Sequence, residues 1–152
     1  MDESVFAFFK QLADAPSPSG YEQPAQRVWR DYVSPYVDEV QTDVLGNAWG
    51  VLRGPDRPRV MLAGHVDEIG LMIQYVDDQG FLYFAPIGGV DPHLLPGQRV
   101  RVHGRTGSIL GVIGRKPIHL LEEDERKKVA KIKDLCIDLG AKDRAETEAL
   151  VA

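Results

Sequence analysis

Residues 59–70 read Arg-Val-Met-Leu-Ala-Gly-His-Val-Asp-Glu-Ile-Gly, and this stretch decides the fold class. The short apolar run from Arg59 to Ala63 is typical of a strand that is buried on both faces. Such strands occur in sheets that are covered by helices, and sites commonly form where these strands end. The stretch therefore predicts an α/β fold with a candidate site in residues 65–68.

His65 and Asp67 are the candidate site residues. Side chains two residues apart in an extended backbone point the same way, so the carboxylate is expected beside the imidazole. That arrangement fixes the tautomer of the ring and raises its basicity toward a metal or a proton. A histidine satisfied by a local hydrogen bond is the alternative, and the pattern alone leaves both interpretations open. Glu68 is expected to point the other way, which disfavours a glycosidase carboxylate pair.

Two amphipathic helices and a hairpin are predicted before this stretch. Apolar residues at helical spacing define the two helix faces, namely Val5, Phe8, Phe9 and Leu12 in the first and Ala25, Val28, Trp29 and Tyr32 in the second. Alternation then predicts strands over residues 37–44 and 48–52, with a turn around Gly46. Gly54-Pro55-Asp56 predicts a further turn.

Short strands dominate the prediction after residue 68. Strand-like runs over residues 69–76 and 81–86 predict a hairpin, and the glycine-rich segment 97–114 is typical of a small barrel-like β module. The charged run 122–128 is most simply a solvated loop. One more strand is predicted over residues 135–139. Asp143 and Glu146 then resemble a capping box that opens a final helix.

Composition and charge exclude several functional classes. Hydrophobic residues make up 43% of the 152 residues and charged residues 27%, which is ordinary for a globular protein and argues against disorder. The net charge of −5 makes nucleic acid or an anionic membrane surface an unexpected partner. A single cysteine, Cys136, excludes an intrachain disulfide framework. The acidic N-terminus does not resemble a signal peptide, so a cytoplasmic location is expected.

Four other side chains could carry chemistry. His119 is a possible substrate-proximal residue, with an exposed surface histidine as the simpler interpretation. His93 and His103 have no ligand partners at a useful spacing, so both are expected to be structural or exposed. Cys136 has apolar neighbours in a predicted strand and is expected to be a small buried hydrophobe rather than a nucleophile.

An ordered series of short motifs resembles the tetrahedral aminopeptidase family. These two-metal peptidases include glutamyl and deblocking aminopeptidases and are often labelled endoglucanase or cellulase. The series begins with Pro18-Ser19-Gly20-Tyr21-Glu22, Asp43-x-x-Gly46-Asn47 and Gly64-His65-Val66-Asp67-Glu68-Ile69-Gly70. It continues with Gly88-Gly89-x-Asp91, Leu95-x-Gly97-Gln98-Arg99-Val100, Gly111-Val112-Ile113-Gly114-x-Lys116-Pro117-x-His119 and Asp134-Leu135-x-Ile137-Asp138-x-Gly140-Ala141. Val90 departs from the tryptophan that often follows the paired glycines.

The resemblance implies a fold, an activity and site residues. Residues 1–69 would begin the α/β catalytic domain, and residues 70–152 would form most of an inserted β-barrel domain used in subunit contacts, both incomplete. The histidine matching His65 is a metal ligand, and the aspartate matching Asp67 supports it and is counted as catalytic. The implied cofactors are two divalent ions, zinc or cobalt, and the implied substrates are peptides with a free amino end. A homo-oligomer is expected.

The same resemblance limits what this chain is expected to do alone. The family's bridging aspartate, its general-base glutamate and its other metal ligands match positions beyond Ala152, and a catalytic zinc site typically needs three protein ligands. The chain is therefore expected to be an N-terminal portion that is inactive by itself and holds at most one metal weakly. Two alternatives stay open: a non-catalytic binding or assembly module, and, less favoured, a glycoside hydrolase.

Overall fold

The computed structural model describes residues 2–54, 58–105 and 107–151. The chain divides into two compact units, Met1–Glu68 and Ile69–Ala152. Helices and strands are both present, which confirms the α/β class. The assignment of the units to a catalytic and an inserted domain stays a prediction. Of the turn predicted at Gly54-Pro55-Asp56, residues 55 and 56 lie outside the described residues.

The first unit contains both predicted helices and the predicted hairpin. Its elements are α1 (Glu3–Asp14), α2 (Gln23–Val33), β1 (Glu39–Thr42) and β2 (Ala48–Val51). The Asp2 side chain caps α1 by accepting a 2.8 Å hydrogen bond from the Ser4 backbone N–H. The two helices pack through the stacked rings of Phe8 and Tyr32, whose centroids are 3.7 Å apart.

Asp43 builds the turn between β1 and β2. Its Oδ1 accepts backbone N–H bonds from Leu45 and Asn47, each 2.9 Å long. The Asn47 side chain donates to Oδ2 at 2.7 Å, and this bond is the main reason that the pKa of the Asp43 carboxyl lies below its ordinary value. Gly46 follows with φ +89°, a conformation that suits glycine. The predicted turn around Gly46 is confirmed.

The predicted buried strand over residues 59–63 is wrong. The segment has no strand pairing among the described residues, and the exposed fractions of Val60, Met61 and Leu62 are 80%, 86% and 95%. A strand exists only where a neighbour satisfies its backbone N–H and C=O groups. An apolar sequence without such a neighbour remains an exposed, unpaired segment, so here the α/β class rests on the other elements.

The second unit is a five-stranded antiparallel sheet. Its strands are β3 (Gly70–Val76), β4 (Leu82–Ile87), β5 (Arg99–Gly104), β6 (Gly107–Arg115) and β7 (Leu135–Asp138), in the order β3-β4-β7-β6-β5. The predicted hairpin over residues 69–86 is confirmed as β3 and β4. The inward side chains form the core, which centres on Leu82, Phe84, Ile113, Leu135 and Ile137. Val90 packs against this core from its loop.

Two local predictions for the second unit need correction. The described side chains of the charged run 122–128 are exposed, but the run contains a short helix, α3 (Glu123–Arg126), rather than only a loop. Lys127 pairs with Glu123 four residues before it at 3.1 Å, a spacing that stabilises a helical turn. Cys136 is only half-buried, because the period of β7 turns Leu135 and Ile137 to the core and Cys136 to the other face. Partial burial raises the pKa of its thiol.

The final helix, α4 (Arg144–Val151), begins at the predicted cap. Asp143 Oδ1 accepts the Glu146 N–H at 2.9 Å, and the Glu146 carboxylate accepts the Lys142 N–H at 2.9 Å. This is a close relative of the capping box, with the return bond made one residue earlier. Thr147 is fully buried and donates a 2.7 Å bond to the Gly80 carbonyl, which ties α4 to the β3–β4 turn.

Gly80→Ala is expected to destabilise the protein by about 2–4 kcal/mol. Gly80 has φ +88°, and an added Cβ would lie 2.8 Å from both the Asp143 carbonyl oxygen and the Thr147 hydroxyl. Gly97→Ala is the matched control, because φ there is +83° but nothing lies within 4 Å of an added Cβ. Backbone strain alone should cost about 1 kcal/mol at Gly97. Equal losses in urea unfolding of the two variants would contradict the packing of α4 on Gly80.

Among the described residues, none of the helices could span a lipid bilayer.

Candidate functional site

A backbone clip in the first unit joins the loop after α1 to the candidate site. The Glu68 N–H donates to the Ser17 carbonyl at 2.9 Å, and the Ser19 N–H donates to the Glu68 carbonyl at 3.3 Å. Pro18 and Glu68 form the corresponding parallel bridge. Glu68 Oε1 also accepts the Ser17 N–H at 3.1 Å. These bonds hold residues 17–19 beside residues 67–68 despite their separation in sequence.

The Asp67 carboxylate links Ser19 to His65. Ser19 Oγ donates to Asp67 Oδ2 at 2.6 Å, and the other carboxylate oxygen, Oδ1, lies 3.0 Å from His65 Nδ1. The same ring nitrogen lies 3.0 Å from the Asp67 backbone carbonyl. Asp67 and Glu68 therefore send their side chains to different partners, the first to His65 and the second to Ser17. This separation gives no shared carboxylate cleft of the kind that a glycosidase needs.

The hydrogen bonds at Nδ1 define the state of the His65 ring. Both oxygens that face Nδ1 are acceptors, so Nδ1 carries the proton in the neutral ring and Nε2 keeps its lone pair. The structure gives Nε2 no hydrogen-bond partner among the described residues, and the side chain is 85% exposed. A neutral imidazole with its second nitrogen bonded to a carboxylate is the usual form of a metal-ligating histidine.

The pKa of the Asp67 carboxyl lies below its ordinary value. The Ser19 hydrogen bond is the largest cause and the His65 hydrogen bond is the second. Because the native pKa is lowered, any stabilisation from these bonds is present above the ordinary value near 3.9 and is lost as the pH falls through the native pKa. Asp67 is therefore a carboxylate throughout the neutral range and can only accept hydrogen bonds.

The order of these three side chains differs from that of a serine hydrolase. In such a triad the histidine takes the proton of the serine and the carboxylate lies behind the histidine. Here the Ser19 hydroxyl bonds to Asp67, so the carboxylate stands between the serine and the ring. Ser19 is thus not activated as a nucleophile. Sequence reasoning gave it no role, although it stands in the motif Pro18-Ser19-Gly20.

The remaining candidates lie in the second unit. His119 is exposed on a short 3₁₀ helix, Ile118–Leu120, and its proximity to substrate stays a prediction. His93 is exposed, and its backbone N–H donates to Asp91 Oδ1 at 2.9 Å. His103 lies exposed on β5. Across the described ranges, no three or more His, Cys, Asp or Glu residues gather as a group that could hold a metal ion. The role of His65 as a metal ligand stays a prediction.

The comparisons with known proteins agree on one family. The family model for M42 glutamyl aminopeptidase matches residues 46–152. The lysyl aminopeptidase of Pyrococcus furiosus is 38% identical over 144 residues, which cover 93% of this chain and 41% of the relative. The chain thus spans less than half the length of that relative.

Solved structures show the same similarity. The TET aminopeptidase of the marine sediment archaeon Thaumarchaeota archaeon SCGC AB-539-E09 matches with a TM-score of 0.95 and 38% identity, over 99% of this chain and 42% of that one. The Pyrococcus horikoshii TET1 peptidase, described as able to assemble into a tetrahedron or a large octahedral shell, matches with a TM-score of 0.84 and 35% identity. That match covers 97% of this chain and 44% of the other. On this similarity in sequence and in structure, the chain belongs to the M42 glutamyl aminopeptidase family.

Proposed function

We propose that this chain is part of a metal-dependent aminopeptidase that removes N-terminal residues from peptides. The observation that carries the proposal is the state of His65, whose Nδ1 faces Asp67 while Nε2 is exposed with its lone pair. Membership of the M42 family supports the reaction class. In this proposal His65 is a metal ligand, and Asp67 is the catalytic-site carboxylate that orients it.

His65 and Asp67 have the chemistry of one ligand of a metal centre together with the carboxylate that orients it. His65 would bind through Nε2, and Asp67 would keep the ring neutral, oriented and more basic through its bond to Nδ1. A divalent cation held there would polarise the carbonyl of the scissile peptide bond and lower the pKa of a bound water. Zinc or cobalt, two ions to a site, is the proposed cofactor.

Further polypeptide is needed to complete this site. A catalytic zinc typically has three protein ligands, and the described residues contain no group of three or more His, Cys, Asp or Glu side chains that could hold a metal ion. The Pyrococcus furiosus relative is more than twice as long as the segment that matches this chain. We propose that the other ligands and a general-base glutamate come from polypeptide outside these 152 residues, so that the isolated chain is inactive.

The second unit is proposed to form an inserted β-barrel domain that makes subunit contacts. Its antiparallel sheet supplies five strands, and the assemblies described for the TET1 peptidase of Pyrococcus horikoshii support a homo-oligomer. His119 is proposed to lie near the substrate in its own or a neighbouring subunit. A cytoplasmic location is proposed from the single cysteine, which leaves no intrachain disulfide.

The activity is tested on the longest gene product that contains residues 1–152. We expect it to release amine from aminoacyl anilides, to lose this activity after chelation, and to regain it with zinc or cobalt. The N-acetylated form of the same substrate is the matched control and should not be cleaved, because it has no free amino end. Release of sugar from a soluble cellulose without release of amine would contradict the proposal.

A non-catalytic binding or assembly module is the competing candidate. This candidate is favoured because the described residues contain no group of three or more side chains that could hold a metal ion, and one histidine alone would bind a metal weakly. The same assay separates the two candidates. A native product that ends at Ala152, folds stably and releases no amine at any metal concentration would favour the module.

A further inference from the structure

We propose that Ser19 is a positioning residue, whose hydroxyl holds the Asp67 carboxylate so that His65 keeps its proton on Nδ1 and presents Nε2. The inference rests on the proposed function only in taking Nε2 as the atom that binds metal. Its structural content is the link from Ser19 through Asp67 to His65, with distances of 2.6 Å and 3.0 Å.

The two oxygens of the Asp67 carboxylate have separate partners. Oδ2 accepts the short bond from Ser19, and this leaves Oδ1 directed at the ring. The Asp67 side chain is 40% exposed. Without Ser19 its carboxylate could therefore rotate toward solvent and replace its hydrogen bond to the His65 ring with hydrogen bonds to water. A bond to each oxygen fixes both side-chain torsions of the aspartate. The position of Oδ1 therefore depends on a hydroxyl that does not touch the ring.

The backbone holds the Ser19 hydroxyl in place. The Ser19 N–H is bonded to the Glu68 carbonyl, next to the aspartate that the side chain contacts. After the serine, the Gly20 N–H donates to Glu22 Oε1 at 2.6 Å and the Tyr21 N–H donates to the Pro18 carbonyl at 2.7 Å. Backbone hydrogen bonds thus hold the loop both at Ser19 itself and at the two residues that follow it. A donor on such a loop loses little conformational entropy when it binds the carboxylate.

The Asp67 backbone carbonyl limits how far the tautomer equilibrium of His65 can shift when the Ser19 hydroxyl is removed. It also lies 3.0 Å from His65 Nδ1, so the ring keeps one acceptor when the carboxylate moves away. A bond to an ionised carboxylate is roughly twice as strong as one to a neutral carbonyl. Loss of the Ser19 hydroxyl should therefore shift the tautomer equilibrium of His65 without reversing it completely.

The test measures which nitrogen of His65 carries the proton, by two-bond hydrogen–nitrogen NMR on the metal-free longest gene product with the ring in its neutral form. We expect the Nδ1–H form to dominate in the parent protein. Ser19→Ala should raise the Nε2–H population toward that of Asp67→Ala, and Ser19→Thr, which keeps the hydroxyl, should restore the parent ratio. Ser4→Ala is the matched control, since Ser4 Oγ also donates to a carboxylate, that of Asp2, at 2.8 Å.

A second readout measures zinc affinity in the longest gene product, by competition with a chromophoric chelator. Ser19→Ala should weaken binding about tenfold, the lower end of the range for a partner of a ligating histidine. The inference is overturned if Ser19→Ala leaves the tautomer ratio at the parent value, whether or not Asp67→Ala changes it. A tautomer shift without any zinc binding would instead uphold the role of Ser19 and refute the proposed metal function.

Discussion

His65→Ala is expected to lower kcat/KM for aminoacyl anilides by about a thousandfold in the longest gene product. The variant removes a ring whose Nδ1 faces the Asp67 carboxylate and whose Nε2 is exposed, without a hydrogen-bond partner among the described residues. Lewis-acid stabilisation of a transition state is worth several kcal/mol, and about 4 kcal/mol corresponds to a thousandfold in rate. Added zinc or cobalt should not restore the activity, because the ligand itself is missing.

The loss at His65 should not reflect unfolding. The side chain is 85% exposed, and exposed substitutions usually change stability by less than about 0.5 kcal/mol. His93→Ala is a matched control, because His93 is an exposed histidine in the other unit and has no assigned role. If His65→Ala kept the activity of the parent protein at equal metal content, the proposed role of His65 as a metal ligand would be wrong.

Asp67→Asn is expected to lower metal affinity and activity by about tenfold to a hundredfold. An amide has one acceptor oxygen where the carboxylate has two. If the Ser19 hydroxyl donates to that oxygen, the amide NH₂ group faces His65 Nδ1 and favours the tautomer with the proton on Nε2. The lone pair that would bind the cation is then lost. The measurement is zinc affinity by competition titration, together with kcat/KM.

Glu68→Gln is the control for Asp67→Asn. It makes the same chemical change one residue away, and the amide keeps an oxygen that can accept the Ser17 N–H in place of Glu68 Oε1. We expect zinc affinity within about threefold of the parent, because the backbone bonds of the clip do not involve the side chain. Equal losses in the two variants would mean that negative charge alone, rather than orientation of His65, explains the effect.

The parts of the fold that local sequence could predict are those held by local bonds. The turn at Asp43 follows from one carboxylate, a glycine and nearby N–H groups, and all of these are adjacent in sequence. The same holds for the Asp143 cap of α4. Side-chain alternation in an extended segment also placed Asp67 beside His65 and Glu68 away from both. Each of these features depends on spacing within about five residues.

The features that sequence reasoning missed depend on distant partners. The apolar run 59–63 has the composition of a buried strand, but its state depends on a neighbour that composition does not reveal. Ser19 acquires its role only because the clip brings it to Asp67, 48 residues along the chain. The half-buried state of Cys136 follows from the phase of β7, which is set by pairing with β4 and β6. Tertiary contacts, rather than local sequence, determine strand pairing, long-range side-chain contacts and burial at these positions.

The most direct test of the account is a structure of the longest gene product, crystallised with zinc or cobalt and measured at the absorption edge of that metal. We expect His65 Nε2 to lie about 2.0–2.1 Å from a cation, with Nδ1 still facing Asp67 and the Ser19 hydroxyl on the second carboxylate oxygen. A metal bound elsewhere, with the His65 ring far from any cation, would contradict the proposed role of this site.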